Sequence, residues 1–111
     1  MKDISSDDLD AVFDAAAKLF AVLSTPIRLR ILNSLCHGEK NVSQLLAEID
    51  TTQPNMSQHL ATLYRAGVLG KRRDATQIYY RILDKQAVAV CRSVCTHIAR
   101  NSAESAEPAA H

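Results

Sequence analysis

The sequence predicts a mainly helical winged helix-turn-helix domain, with helices and strands in the order α-α-α-α-β-β-α. Three observations predict it. Two helical patterns near the middle are joined by only three residues, Asp50-Thr51-Thr52. Two short strand-like runs, 68–73 and 77–82, follow at once with a turn between them. Long stretches with 3.6-residue apolar spacing stand at both ends of the chain.

The elements follow in order. Ser5 and Ser6 precede Asp7-Asp8, a good helix start with acids at the positive end of the dipole. Leu9, Val12, Phe13, Ala16 and Phe20 then keep helical spacing, so the first helix runs to about Leu23. Ser24-Thr25-Pro26 ends it and caps the second helix, with Pro26 at its first position. That helix carries Ile27, Leu29, Ile31, Leu32 and Leu35 and ends before Gly38. Val42 leads into a third helix, Ser43 to Ile49. Thr52 caps a fourth from Gln53 to about Ala66, stopped by Gly67. Met56, Leu60 and Leu63 give it an inward face, which leaves Gln53, Pro54, Asn55, Gln58, His59 and Thr62 mostly outward. Asp74-Ala75-Thr76 turns the hairpin, and Asp84 caps a fifth helix bearing Val88, Cys91, Val94, Cys95 and Ile98. The expected organisation is an N-terminal tail 1–6, a winged-helix domain 7–100 and a disordered Ala/Ser/Glu/Pro tail 101–111.

Composition narrows the function. With 111 residues, 47% hydrophobic and 23% charged, the chain fits one soluble domain. It has no apolar leader and no run approaching 18 apolar residues, so no membrane partner is expected and the expected location is the cytoplasm. The net charge is only +1, but its distribution matters more. Asp3, Asp7, Asp8, Asp10 and Asp14 crowd the start, whereas Arg65, Lys71, Arg72, Arg73 and Arg81 cluster around the hairpin. A locally basic segment of this kind is what a DNA-contacting surface needs. There is no Gly-rich phosphate loop, C-x-x-C, nucleophile elbow or H-E-x-x-H, so no enzyme is expected.

A helix fits the major groove, where Gln and Asn can pair bidentately with adenine. Ser, Thr and His can anchor phosphates, and a hairpin tipped with Arg and Lys can reach the adjacent backbone. Exposed Gln, Asn and Arg on a lone helix are usually just solvated; the neighbouring hairpin and the flanking pattern raise them to candidates. Tyr64, Tyr79 and Tyr80 read as packing residues.

At these residues the sequence resembles the ArsR/SmtB repressors. The stretch 53–69, from Gln53 through Ser57-Gln-His-Leu60 to Gly67-Val-Leu, resembles their recognition helix. Leu23-Ser-Thr-Pro-Ile-Arg-Leu-Arg-Ile-Leu resembles the opening of their second helix, and Arg73-Asp-Ala-Thr-Gln-Ile-Tyr-Tyr-Arg-Ile their wing. The resemblance covers about residues 9–98. It implies a transcriptional repressor that binds an imperfect palindromic operator in double-stranded DNA as a homodimer, paired through the first and fifth helices and released by an inducer. Ser57 and His59 fall on DNA-facing positions, with Gln53, Asn55, Gln58 and Thr62 beside them and Arg72, Arg73 and Gln77 on the wing. Two positions depart from the pattern: the wing turn has Asp74-Ala75 where Gly is usual, and Asp50 stands where Gly often precedes the recognition helix.

The three cysteines leave the inducer open. Cys91 and Cys95 are four apart and share a helix face, and Cys36 ends the second helix. The family often places inducer sites at the second, third and fifth helices. A dithiol pair of Cys36 with Cys95 suits reactive sulfur or an oxidant. A thiolate set of Cys36, Cys91 and Cys95 suits arsenite, and His97 could join it for zinc or cadmium. Neither requires a resident cofactor. The third possibility is structural: buried Cys behaves as a small hydrophobe, and the fold would then be a non-sensing protein-interaction module.

Overall fold

The computed structural model describes residues 5–105. Its elements are α1 (Ser6–Leu23), α2 (Pro26–Leu35), β1 (Lys40–Asn41), α3 (Val42–Glu48), α4 (Gln53–Arg65), β2 (Leu69–Asp74), β3 (Gln77–Ile82) and α5 (Lys85–Ser105). The winged-helix order stands, with one strand the sequence did not reveal. β1 pairs antiparallel with β3, Lys40 against Tyr80, and gives a three-stranded sheet ordered β1-β3-β2. Two residues are too few to show alternation.

Caps define the helix starts. The side chains of Ser5, Thr25 and Thr52 accept from Asp8 N, Arg28 N and Asn55 N at 3.2, 3.1 and 3.2 Å. Asn41 and Gln44 form a reciprocal capping box at 2.9 Å in each direction, so α3 starts one residue before the predicted Ser43. Gly67, at φ +79°, ends α4 as expected. Asp50 is not left-handed; among the described residues the only non-glycine with positive φ is Ala75.

Both ends differ from the predicted boundaries. Ser5 caps α1 and Ser6 is its first residue, so the predicted tail 1–6 overlaps the helix start. At the other end α5 continues past Asn101 to Ser105. Neither Gly nor Pro intervenes before Pro108, and Ala, Ser and Glu can all continue a helix. The rest of both predicted tails, residues 1–4 and 106–111, lies outside the described residues.

The core joins α2, α3, α4, the start of β2 and the start of α5. Ile31, Leu32, Leu45, Met56, Leu60, Leu63, Val68 and Leu69 are its fully buried members. Burial of each such side chain contributes about 1.5–3 kcal/mol. Because Met56, Leu60 and Leu63 all take the same face of α4, that burial fixes the roll of the helix about its own axis. The opposite face must then look outward. A polar hub braces the frame: Lys40 Nζ donates to Ser34 Oγ (2.8 Å) and Glu48 Oε2 (2.7 Å), and Ser34 Oγ donates to Glu48 Oε2 (2.8 Å). The lysine and the serine hold the Glu48 carboxyl below the usual carboxylate range.

α1 and α5 are anchored by one end each. Leu23 is the buried residue of α1, and Ala87 and Val88 are those of α5. Beyond them, Val12, Phe13, Phe20, Val90, Val94 and Ile98 stay exposed. The radius of gyration is 17.2 Å, against ~13 Å for a compact chain of this length.

Candidate nucleic-acid interface

The outer face of α4 presents Gln53, Asn55, Ser57 and Gln58, all exposed. Among the described residues, the side chains of Gln53, Ser57 and Gln58 make no hydrogen bond, so their polar ends are free for a partner. Asn55 is partly committed, since its Nδ2 donates to Thr51 Oγ1 at 2.7 Å. Thr62 is half-buried rather than outward, and its hydroxyl donates back to the Gln58 carbonyl at 3.0 Å. One turn of helix separates those two residues, which is the ordinary reach of a helical threonine.

His59 is also half-buried, at the margin of this face. Its Nδ1 accepts from Arg28 Nε at 3.0 Å. Burial first, and the Arg28 charge second, hold its pKa below the usual imidazole value. Both causes favour the neutral ring.

The wing stands beside α4. β2 and β3 pair from Leu69–Ile82 out to Asp74–Gln77, leaving Ala75 and Thr76 as a two-residue connection. Ala75 adopts φ +58°, the conformation that glycine usually supplies. Gln77 and Arg73 are exposed at the tip, and Arg73 makes no ion pair among the described residues. Arg72 differs. Its Nε donates to both oxygens of Glu39, its Nη2 also bonds Glu39, and its guanidinium lies 4.7 Å from the Tyr79 ring centre. Lys71 reaches over Tyr64 at 4.4 Å. Of the two arginines predicted for the wing, one is free and one is held by its own chain. Glu39 and Arg28 belong to this surface yet carry no local signal, because their partners Arg72 and His59 lie 33 and 31 residues away.

The cysteines divide between two hollows. Cys91 and Cys95 line an open hollow between α2 and α5, together with Arg30, His37 and Arg92. Cys36, the C-cap of α2, lines a neighbouring hollow with Arg81 and Lys85. Val88 and Arg92 border both and form the ridge between them. His37, adjacent to Cys36 in sequence, turns into the other hollow. The fold thus sets Cys91 and Cys95 in one hollow and Cys36 in the one beside it. His97 stands on the exposed side of α5, with Nε2 3.2 Å from Asn101 Nδ2. Among the described residues no three His, Cys, Asp or Glu side chains gather as metal ligands do. Cys95 is exposed; burial, with Cys95 as a lesser cause, pushes the half-buried Cys91 thiol upward.

Comparison with known proteins agrees with this geometry. Residues 25–71, which span α2 to the start of β2, match the family model described as bacterial regulatory protein, arsR family. The biofilm growth-associated repressor of Agrobacterium fabrum is 35% identical over 95 residues, covering 83% of this chain and 81% of that protein. The crystal structure of the transcriptional repressor BigR from Xylella fastidiosa superimposes with a TM-score of 0.73 at 32% identity, over 83% of this chain and 94% of that one. Reduced HlyU from Vibrio cholerae gives 0.72 at 26% identity, over 78% and 92%. Among the described residues no helix is long and apolar enough to cross a membrane.

Proposed function

The chain belongs to the ArsR family of bacterial regulatory proteins and is a DNA-binding transcriptional repressor; from that premise we propose that it works as a homodimer on a palindromic operator and is released when a thiol-reactive inducer acts at its cysteines. The observation that carries the DNA half is the roll of α4. Burial of Met56, Leu60 and Leu63 forces Gln53, Ser57 and Gln58 outward, beside a wing tipped by Arg73.

The dimer reading rests on α1 and α5. Both helices display apolar side chains that the described residues leave uncovered, including Phe13 at 60% and Ile98 at 56% exposure. Large exposed apolar patches of this kind mark interaction surfaces. Two-fold pairing would place two α4 helices on successive major grooves of a palindrome.

The inducer reading rests on thiol placement. Cys95 is exposed at the mouth of a hollow whose wall includes Cys91 and two guanidinium groups, those of Arg30 and Arg92. A mobility shift on the intergenic duplex upstream of the gene tests the proposal. Bands should form with reduced protein and weaken steeply with salt. A persulfide donor should release the duplex; release by arsenite or zinc alone would replace the sulfur reading with a metalloid or metal one. Absence of any shift at low salt would remove the repressor reading itself.

A further inference from the structure

Two sequence motifs that lie far apart along the chain meet in a single side chain. Arg28 sits in the first turn of α2, where its own backbone N–H donates to the capping Thr25 Oγ1 at 3.1 Å. Its guanidinium reaches in two directions. Nη1 donates to the Val22 carbonyl at 2.9 Å, one of the last carbonyls of α1, which lack helical partners. Nε donates to Nδ1 of His59 on α4 at 3.0 Å. One residue thus ties the end of α1 to the DNA-facing helix.

The hydrogen bond to His59 has a chemical consequence. Guanidinium has donors and no acceptor. A ring nitrogen that accepts from it carries no proton, so the neutral imidazole must carry its hydrogen on Nε2. In a five-membered ring Nε2 points away from a partner placed at Nδ1. We propose that Arg28 is a positioning residue for DNA binding: it holds His59 as the Nε2–H tautomer, a neutral donor aimed at a DNA phosphate oxygen, and locks that donor to the end of α1. The inference rests on the repressor reading. It adds that the contact is made by an uncharged ring and that a residue outside the recognition helix sets it.

The full chain tests it with two variants, read by spectrum, melting and duplex binding. The long-range proton–nitrogen spectrum of the imidazoles, recorded without DNA, should show His59 protonated at Nε2, and Arg28→Gln should bring in the Nδ1–H form. His59→Asn keeps an acceptor near the place of Nδ1 and removes the outer donor. It should retain the wild-type melting temperature and bind a random-sequence duplex about tenfold more weakly per subunit, the cost of one hydrogen bond to a charged group. The slope of log affinity against log salt should not change, because a neutral donor releases no counterion. A wild-type ring protonated at Nδ1 overturns the proposal. So does a salt slope that falls by about 0.9 per ring in His59→Asn, which would mean a cationic contact. If the wild-type chain binds no duplex, the donor role falls together with the repressor reading; the spectrum alone still decides whether Arg28 selects the tautomer.

Discussion

Arg72 donates from Nε to both carboxylate oxygens of Glu39, at 2.9 and 3.1 Å, while its guanidinium stacks on Tyr79. The wing is therefore clamped to the segment just ahead of β1 by one of the two arginines that, from sequence, look ready to grip DNA. The clamp also lowers the Glu39 carboxyl's pKa, so it stays ionised at neutral pH and the pair is lost only as pH falls through that lowered value.

The two arginines should consequently separate in binding experiments. Arg73→Ala should weaken binding to operator and random duplexes alike and reduce the salt slope by about 0.9 per subunit. Arg72→Ala should change the slope less. Glu39→Gln should strengthen binding to both duplexes, because it frees a cation and removes an anion from the wing. Fluorescence anisotropy across a salt series measures all three. Equal slope changes for Arg72→Ala and Arg73→Ala would show that the clamp opens on DNA.

Ala75 holds φ +58° in the wing turn. A left-handed alanine costs about 1–2 kcal/mol, and glycine removes that cost while adding somewhat less in unfolded-state entropy. Ala75→Gly should raise stability by about 0.5–1 kcal/mol, seen as a higher urea midpoint at unchanged m. A lower midpoint would mean that the turn relaxes in solution.

Cys95 should react before Cys91. The first is exposed, and burial pushes the second thiol's pKa up, which leaves less thiolate at neutral pH. Iodoacetamide labelling followed by peptide mass spectrometry should show Cys95 carrying the label first. Cys95→Ser should preserve DNA binding and abolish release by a persulfide donor; normal release by this variant would transfer the inducer site to Cys36.

Val94 is 51% exposed and Phe20 58%. Neither supports the single chain's core, so Val94→Asp should leave helical circular dichroism unchanged. Under the dimer reading it should halve the mass in sedimentation equilibrium and weaken operator binding through lost bivalency. An unchanged mass would place the subunit contact elsewhere.

Much of this protein was legible residue by residue. Five helices, the hairpin, the inward triplet Met56, Leu60 and Leu63, and the outward Gln53, Asn55 and Gln58 follow from spacing and capping, which act over four residues or fewer; Ser57 came only from the resemblance. The asparagine cap at Asn41 was also readable, as an Asn-x-x-Gln box. What tertiary structure alone decided has a common cause: side chains brought together from distant positions. Arg28 meets His59 across 31 residues and Arg72 meets Glu39 across 33. The packing of α5 against α2 puts Cys91 and Cys95 in one hollow and Cys36 in another. Local periodicity carries no information about such meetings, because they depend on how helices cross and not on how each one forms.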